Sequence, residues 1–376
     1  MTRAVENVLI IGGGFAGMAA AIELRRRGVD VEIVEIDAGW RSYGAGITVG
    51  GATLRVFRRL GILDAFLASG SAADGVHMHT ANGTHLATLP TPRVAGEDVP
   101  GSGAIMRPVL AAILADATRA AGAKVTLGQT FASIEEDGTG VTVTLTNGET
   151  RRCDLVIGAD GVFSKAREAV FPDAPKPSYT GQCVWRAVVN RPPELETAIM
   201  WLGPSTKVGI NPVSKDQAYI FVTEDQPIKQ RLDEKDYVRL LKQLLAPFTA
   251  PQLVSLREGL TEKNSIVYRP LEALMLPRPW HRGRVVLIGD AVHATTPHLA
   301  SGACIGMEDA VVLVEELAAT KDLEAALEAF EARRWERCRM VVQNSLRLGE
   351  IEISNGDKQE HAAIMRETMM ALAAPI

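Results

Sequence analysis

An α/β architecture is expected for this 376-residue chain: a parallel sheet that carries a β-meander, a mixed sheet inserted into it, and helices at the C-terminal end. Three features lead there. First, the apolar run Val8-Leu9-Ile10-Ile11, the break at Gly12-Gly13-Gly14 and the Ala-, Leu- and Arg-rich stretch 18–27 form a strand, a turn and a helix, and residues 29–35 extend them to a βαβ unit. Second, residues 133–157 alternate between turns at Asp137-Gly138 and Asn147-Gly148, the pattern of a three-stranded meander. Third, residues 284–288 (RVVLI) return as a buried strand after a long β-rich interval, so the first sheet is assembled from distant parts of the chain.

The remaining elements follow in order. Residues 53–60 read as a helix, and residues 75–89 as a hairpin with a type I′ turn at Asn82-Gly83. Residues 90–103 read as loop, 106–121 as helix and 124–127 as a short strand. Strands are expected at 182–190, 198–202, 207–211 and 217–222, then helices at 237–246 and 250–258. One long helix starts near Gly302 and another covers about 323–344. The expected domains are a discontinuous first one (1–74, 96–178 and 266–330), an inserted one (75–95 and 179–265) and a C-terminal helical segment (331–376).

Lys and Arg total 40 against 45 Asp and Glu, a net charge of −5. Such a balance does not suit nucleic acid or an anionic membrane, so a small-molecule partner is expected. The 34 glycines ask for a use, because each costs backbone entropy on folding. Cys153, Cys183, Cys304 and Cys338 are scattered, without a CxxC or Cys/His cluster. That argues against a disulfide framework or zinc site and for a reducing, cytoplasmic setting. Residues 8–22 carry no charge and imitate a signal peptide, but the three glycines and Glu6 favour the strand–turn–helix. No segment reaches the ~20 apolar residues of a membrane span.

Gly12-Gly13-Gly14-Phe15-Ala16-Gly17 fits G-x-G-x-x-G between a strand and a helix. Gly12 permits the tight turn, Gly14 lets backbone reach a pyrophosphate, and Gly17 lets the helix pack on the strand. The helix N-terminus offers free N–H groups to the phosphates. Glu35 ends the next strand, 18 residues after Gly17. Its carboxylate suits two ribose hydroxyls and repels a 2′-phosphate, which favours FAD or NAD over NADP. Phe15, Ala16 and Ile36 complete the expected dinucleotide contacts. Arg41 and Gly44-Ala45-Gly46-Ile47 follow, and Arg107 opens a helix. Gly158-Ala159-Asp160-Gly161 and Gly289-Asp290 each follow a buried strand, so both aspartates lie at the carboxyl end of the sheet, where ligands bind.

Glu35-x5-Arg41, Arg107-x-x-Leu110, Gly158-Ala159-Asp160-Gly161 and Gly289-Asp290 occur in one order. With them the chain resembles the single-component FAD-dependent aromatic hydroxylases of the p-hydroxybenzoate hydroxylase fold, and is most similar to members acting on salicylate, hydroxybenzoate and hydroxynicotinate. The likeness runs from Val8 to about Arg347 and is weakest between Pro192 and Glu272. It implies a Rossmann-like FAD-binding domain with an inserted mixed β-sheet substrate domain. It also implies site roles. Gly12, Gly14 and Gly17 would hold the pyrophosphate and Glu35 the adenosine ribose. Arg41 and Arg107 would meet the pyrophosphate and ribityl region, and Asp290 the ribityl hydroxyls. Asp160 and Gly161 would belong to the motif linked to both FAD and NAD(P)H, and Gly46 and Ile47 would line the flavin.

The implied reaction is hydroxylation of an electron-rich ring, either a phenolic acid or a hydroxylated N-heteroaromatic. NADH or NADPH reduces FAD, and O₂ adds at the flavin C4a to give the hydroxylating hydroperoxide. The partners are then that ring and O₂, in a monomer or homodimer. Two departures stand out. Many members have Gln-Gly-x-Asn where this chain has Ser301-Gly302-Ala303-Cys304, which leaves the backbone amides of Gly302 and Ala303 as flavin contacts. Thr48 stands where some heteroaromatic hydroxylases carry a histidine.

His298 is the candidate acid–base group, because it follows Pro297 at the expected flavin edge and an imidazole titrates near neutrality. Thr48, Arg186, Trp201, Tyr219 and Pro297 are the candidate substrate contacts. His293 reads as structural, bonding loop backbone, and Glu308-Asp309 as helix capping and packing. His77, His79 and His85 read as surface, and Cys304 as an inert buried thiol. A halogenase or reductase on the same fold, or a non-catalytic FAD-binding protein, is the alternative. Flavin halogenases carry Trp-x-Trp-x-Ile-Pro, of which this chain has only Trp185-Arg186.

Overall fold

The computed structural model describes residues 3–203 and 206–376. The first stretch holds β1 (Asn7–Ile11), α1 (Phe15–Arg26), β2 (Asp30–Glu35), β3 (Gly46–Gly50), α2 (Gly51–Leu60), α3 (Leu63–Ser69) and β4 (Ser71–Ala73). Next come β5 (Val76–Thr80), β6 (His85–Leu89), β7 (Ser102–Met106), α4 (Arg107–Ala120) and β8 (Lys124–Leu127). The meander is β9 (Phe131–Glu136), β10 (Val141–Leu145) and β11 (Thr150–Cys153), followed by β12 (Leu155–Gly158) and α5 (Lys165–Val170). Then follow β13 (Ser178–Asn190), β14 (Ala198–Leu202), β15 (Lys207–Pro212), β16 (Gln217–Asp225), α6 (Tyr237–Leu245), α7 (Pro251–Gly259) and β17 (Ile266–Ala273). The last are β18 (His281–Arg282), β19 (Val285–Leu287), α8 (Asp290–His293), α9 (Gly302–Ala319), α10 (Leu323–Ile353) and α11 (Lys358–Ala373).

Strand β1 lies inside a six-stranded sheet ordered β18-β19-β12-β1-β2-β8. It pairs in parallel with β12 and β2, so both of its faces need apolar side chains. Val8 and Ile10 pack among α1, α4 and α9, while Leu9 and Ile11 pack against Val141, Val143 and Leu145 of the meander. The uninterrupted apolar run follows from that two-sided burial.

A seven-stranded sheet, β17-β13-β16-β15-β14-β5-β6, forms the second layer. Its outer face packs Trp185, Trp201, Ile210 and Val222 against Leu241, Leu245 and Leu253 of α6 and α7. Its inner face sets Tyr219, Val188 and Phe221 against Ala45, Ala104 and Met106 of the first lobe. Strand β17 pairs with β13 in this sheet, so the domain boundary expected at residue 266 falls after Ala273 instead.

Several elements differ from expectation. A three-stranded sheet, β3-β7-β4, bridges the two layers. It contains the end of the segment expected to be loop; β4 and β7 are built largely from Gly, Ala and Ser, which carry little β signal, and β3 holds only the short Ile-Thr-Val run between glycines. The hairpin loop is not type I′. The Thr80 N–H donates to the Thr84 carbonyl and only Gly83 takes positive φ (94°), so three residues close it. Helix α10 runs to Ile353, nine residues past its expected end, and α11 packs on it.

A buried ion network joins α8, α9 and α10. Arg334 is fully buried and donates to Asp309 Oδ1 (2.8 Å), Glu308 Oε2 (3.0 Å) and the Ile305 carbonyl (3.1 Å). Asp309 Oδ2 accepts from His293 Nε2 (2.5 Å) and the Gly289 N–H (2.9 Å). Glu308 also binds Arg337 at 2.8 Å. Burial alone would raise the Asp309 pKa, but His293 and Arg334 hold it at about 2. Burial opposes charge on His293, and Asp309 overrides it and raises that pKa well above the usual value. His293 therefore bonds a carboxylate rather than loop backbone, and Glu308-Asp309 form the centre of a charge network rather than a cap. His293, Asp309 and Cys338 cluster as metal ligands do, but the guanidinium of Arg334 already supplies the positive charge, 3.4 Å from Cys338 Sγ.

Arg334→Leu leaves two buried carboxylates short of a partner and is expected to cost about 3–5 kcal/mol, read from urea unfolding at pH 7. An aspartate held at about 2 in the folded chain, against ~3.9 unfolded, stabilises above the unfolded value and loses that contribution as pH falls. The urea midpoint should therefore drop between about pH 4 and 2, and the drop should be shallower in Asp309→Asn.

Candidate active site

The G-x-G-x-x-G turn crosses the carboxyl edge of the six-stranded sheet. Gly12 has φ +104°, and a Cβ there would sit 2.5 Å from the Ala159 carbonyl oxygen. Gly17 has no room either, because its missing side chain would strike the Gly12 carbonyl. Gly14 differs: it is exposed, and a Cβ would find its nearest neighbour only at 4.0 Å. The chain is thus pinned at Gly12 and Gly17 and open at Gly14, the N-cap of α1, which no side chain caps. The first-turn N–H groups face that opening and suit a pyrophosphate.

Glu35 fixes this turn. Its carboxylate accepts from the Gly13 N–H and the Asp37 N–H, both at 2.7 Å. Trp40 adds an indole hydrogen bond to the Gly13 carbonyl (2.8 Å). Ile36, next to Glu35, is 71% exposed, while Phe15 and Ala16 are half-buried on α1. Arg107 stacks over the Phe15 ring at 5.1 Å and reaches Ser42 Oγ at 3.2 Å. Arg41 is exposed and paired with Asp37 at 3.1 Å.

Asp290 opens α8 across the cleft from Arg107. It is reachable by solvent but ringed by protein, and that enclosure raises its pKa against the pull of His293 and Arg107. Enclosure also lowers the Arg107 pKa, with Asp290 opposing and Arg269 reinforcing. Asp160 has a local duty: it accepts from Ser164 Oγ (2.5 Å) and the Ala166 N–H (3.0 Å), which starts α5. Gly161 has φ +82°, and Arg167 of α5 then donates to the Ala291 carbonyl at 2.8 Å. The Asp160-Gly161 turn therefore sets the position of α8. Arg167 received no role from the sequence, although it closes the same Gly-Ala-Asp-Gly stretch. Gly302 and Ala303 begin α9 half-buried, with no side-chain cap.

The inner face of the seven-stranded sheet closes the site. Tyr219 hydrogen-bonds Thr48 side chain to side chain, and its ring takes the space a side chain on Gly46 would need. Burial raises the Tyr219 pKa, opposed by Thr48 and Arg186. Burial lowers that of Arg186, with Arg107 and Arg269 adding to the fall. Arg269 of β17 is a site residue that the sequence did not single out. Ile47 and Pro297 are half-buried nearby.

One expectation needs correction, and the place of His298 is now defined. Trp201 lies on the outer face, 1% exposed among α6 and α7; strand alternation turns it away from the cleft. His298 has its ring packed beneath α10 rather than open to the cleft mouth, with Nδ1 2.8 Å from Thr296 Oγ1. It lines a cavity of about 260 Å³ with Gln182, Thr296, Ser345 and Gly349. Gln182 Oε1 and Ser345 Oγ find no hydrogen-bond partner among the described residues, and the nearest acceptor to His298 Nε2 is a Glu352 carboxylate oxygen at 3.5 Å. His79 is not wholly at the surface either: its ring lies 6.0 Å from that of Trp201. Cys304 is buried, and burial raises its pKa, as an inert thiol requires.

A family model described as "FAD binding domain" matches residues 6–345. The chain belongs to this family. It is 32% identical to the aurachin C monooxygenase/isomerase of Stigmatella aurantiaca over 92% of this chain and 89% of that one. It is also 32% identical to the 3-hydroxybenzoate 6-hydroxylase of Polaromonas naphthalenivorans, over 93% and 88%. Klebsiella pneumoniae HpxO, solved with FAD and uric acid, superposes with a TM-score of 0.82 at 26% identity, covering 98% of this chain and 92% of that one. The protein is an FAD-dependent monooxygenase, and the pinned turn, Glu35 and the uncapped α1 fit its cofactor.

Gly12→Ala should lower the flavin content of purified protein severalfold while the far-UV circular dichroism persists. Glu35→Ala, which frees Gly13 and Asp37, should do the same. Full flavin retention in both would contradict the placement of the dinucleotide.

Proposed function

We propose that the protein hydroxylates an electron-rich ring, a phenolic acid or a hydroxylated N-heteroaromatic, with O₂ and NADH or NADPH. The observation that carries this reading is the enclosed polar surface between the 296–303 loop and the inner face of the second sheet. Thr48, Tyr219 and Arg186 present hydroxyl groups and a guanidinium there, and Gln182 and Ser345 bring unpartnered polar atoms to the cavity that His298 and Thr296 line. Buried polar atoms call for partners, and the oxygen and nitrogen substituents of such a ring supply them.

In this reading Gly14, the first turn of α1, Glu35, Arg107 and Asp290 bind FAD, Gly302 and Ala303 direct backbone N–H groups at the flavin, and Asp160 with Gly161 holds α8 in register. Bound FAD supplies the activation of O₂. The protein orients the ring, excludes water and takes up the proton of a ring hydroxyl. Arg186 favours an ionised oxygen on the ring, which raises its electron density. His298, beneath α10, receives the proton through the Thr296 hydroxyl. The lone tryptophan of a halogenase-like motif has a structural duty instead: Trp185 donates to Glu224 at 2.7 Å in the outer core.

NADH and NADPH oxidation by the FAD-loaded protein, measured with a panel of hydroxybenzoates, hydroxypyridines and hydroxyquinolines, should rise with at least one ring and give a hydroxylated product. No stimulation by any of them would overturn the reading. Arg186→Met should lower kcat/KM for that ring about tenfold or more, as loss of a charged hydrogen bond does.

A further inference from the structure

One carboxylate ties the candidate acid–base group to three other parts of the fold. Glu352, in the last turn of α10, lies with Oε2 3.5 Å from His298 Nε2. Its Oε1 pairs with Lys207, the first residue of β15, and accepts from His361 Nε2 of α11 at 3.1 Å. The His298 side chain is 1% exposed and that of Glu352 17%, whereas His361 is 28% exposed. The backbone of α10 is shaped for this contact. Gly349 lies one turn before Glu352, and a Cβ on it would sit 3.2 Å from His298 Cε1 and 3.0 Å from Gln182 Oε1. Only a glycine lets the helix lie this close over the ring without displacing it.

We propose that Glu352 is a positioning residue for His298: held between Lys207 and His361, its carboxylate orients the imidazole and supports the protonated ring, and so couples proton uptake beside the flavin edge to the docking of α10 and α11. This rests on His298 being the acid–base group. With the carboxylate facing Nε2, that nitrogen carries the hydrogen and Nδ1 is free to accept from the Thr296 hydroxyl. The proton of a ring hydroxyl passes to Thr296 Oγ1 as the hydroxyl's own proton moves to His298 Nδ1. The ring becomes imidazolium and Glu352 remains an anion. One proton leaves the ring hydroxyl and one is gained by His298.

The charges support that assignment. Burial alone would raise the Glu352 pKa, but Lys207, His298 and His361 hold it far below the carboxylate range, so it stays ionised whatever His298 does. Burial lowers the His298 pKa; Glu352 opposes this, while Lys207 and His361 add to it. The charged and titratable groups facing the pair are Lys207 from β15 and His361 from α11, and Tyr179 of β13 and Glu350 of α10 on the cavity wall, with Asp225 of β16 bonded to Gln182 at 3.0 Å.

The test follows the histidine resonances of the FAD-loaded protein, labelled with ¹³C at Cε1, from pH 5 to 9. His298→Gln identifies the His298 signal by its loss. Glu352→Gln should lower the His298 midpoint by about one pH unit or more, and Glu352→Asp should restore part of the shift. Lys207→Met and His361→Gln should each raise it. These opposite signs separate a charge effect on the ring from general loosening, which would move the midpoint one way in every variant. A His298 signal that does not titrate in the wild type, or whose midpoint is the same in Lys207→Met and His361→Gln, overturns the proposal even if Glu352→Gln fails to load FAD. No hydroxylation with any ring would sink the functional reading but leave these midpoints interpretable, so the two fail separately.

Discussion

The buried carboxylate of Asp309 is the constraint on which the site rests. It holds the Gly289 N–H, the His293 ring and the Arg334 guanidinium together. Gly289 has φ +63°, and the next residue is Asp290, so the anion that fixes the turn also fixes the aspartate facing the cleft. A charge removed from water is expensive unless every oxygen is satisfied, and here both oxygens are. The arrangement gives a rigid back wall to a cleft whose front, at Gly14, is open.

The two sheets meet this wall from different directions. The six-stranded sheet brings the dinucleotide turn, Asp160 and α8 to its carboxyl edge, where parallel sheets bind ligands. The seven-stranded sheet presents one face to α6 and α7 and the other to the cleft. Tyr219 belongs to both halves, since its hydroxyl meets Thr48 and its ring replaces a side chain at Gly46. The glycine excess has a use here: at Gly12, Gly17 and Gly46 backbone or ring approaches so closely that no side chain fits.

Much of the first lobe was legible in the sequence because two-sided burial leaves a continuous apolar run and the dinucleotide turn has fixed spacing. The small-residue strands β4 and β7 were not, since Gly, Ala and Ser carry almost no strand preference, and the Ile-Thr-Val core of β3 is too short to mark a strand alone. Alternation along β14 shows that Trp201 and its neighbours face opposite ways, but not which way the cleft lies. The partners of Arg334 lie 25 and 26 residues away and those of His298 on other elements, and no local spacing encodes such pairs. The surrounding motifs gave His298 an expected place at the flavin edge, but nothing in the local sequence told that its ring packs beneath α10 beside Gly349 and Glu352.

The last turn of α11 is held from outside. Arg337 donates to the carbonyls of Ala371 and Leu372, and Arg55 to those of Leu372, Ala373 and Ala374. Both arginines also bind Glu308. The Arg55 contacts span more than 300 residues of chain, and β1 waits for β12 and β19 before its sheet is complete. On the ribosome, then, the strands of the second sheet have all emerged before the first sheet can close, and the core around Glu308 is assembled only when the C-terminal helix arrives. Contacts this distant in sequence make folding slow, so the nascent first lobe is the stage at which this protein most needs protection from aggregation.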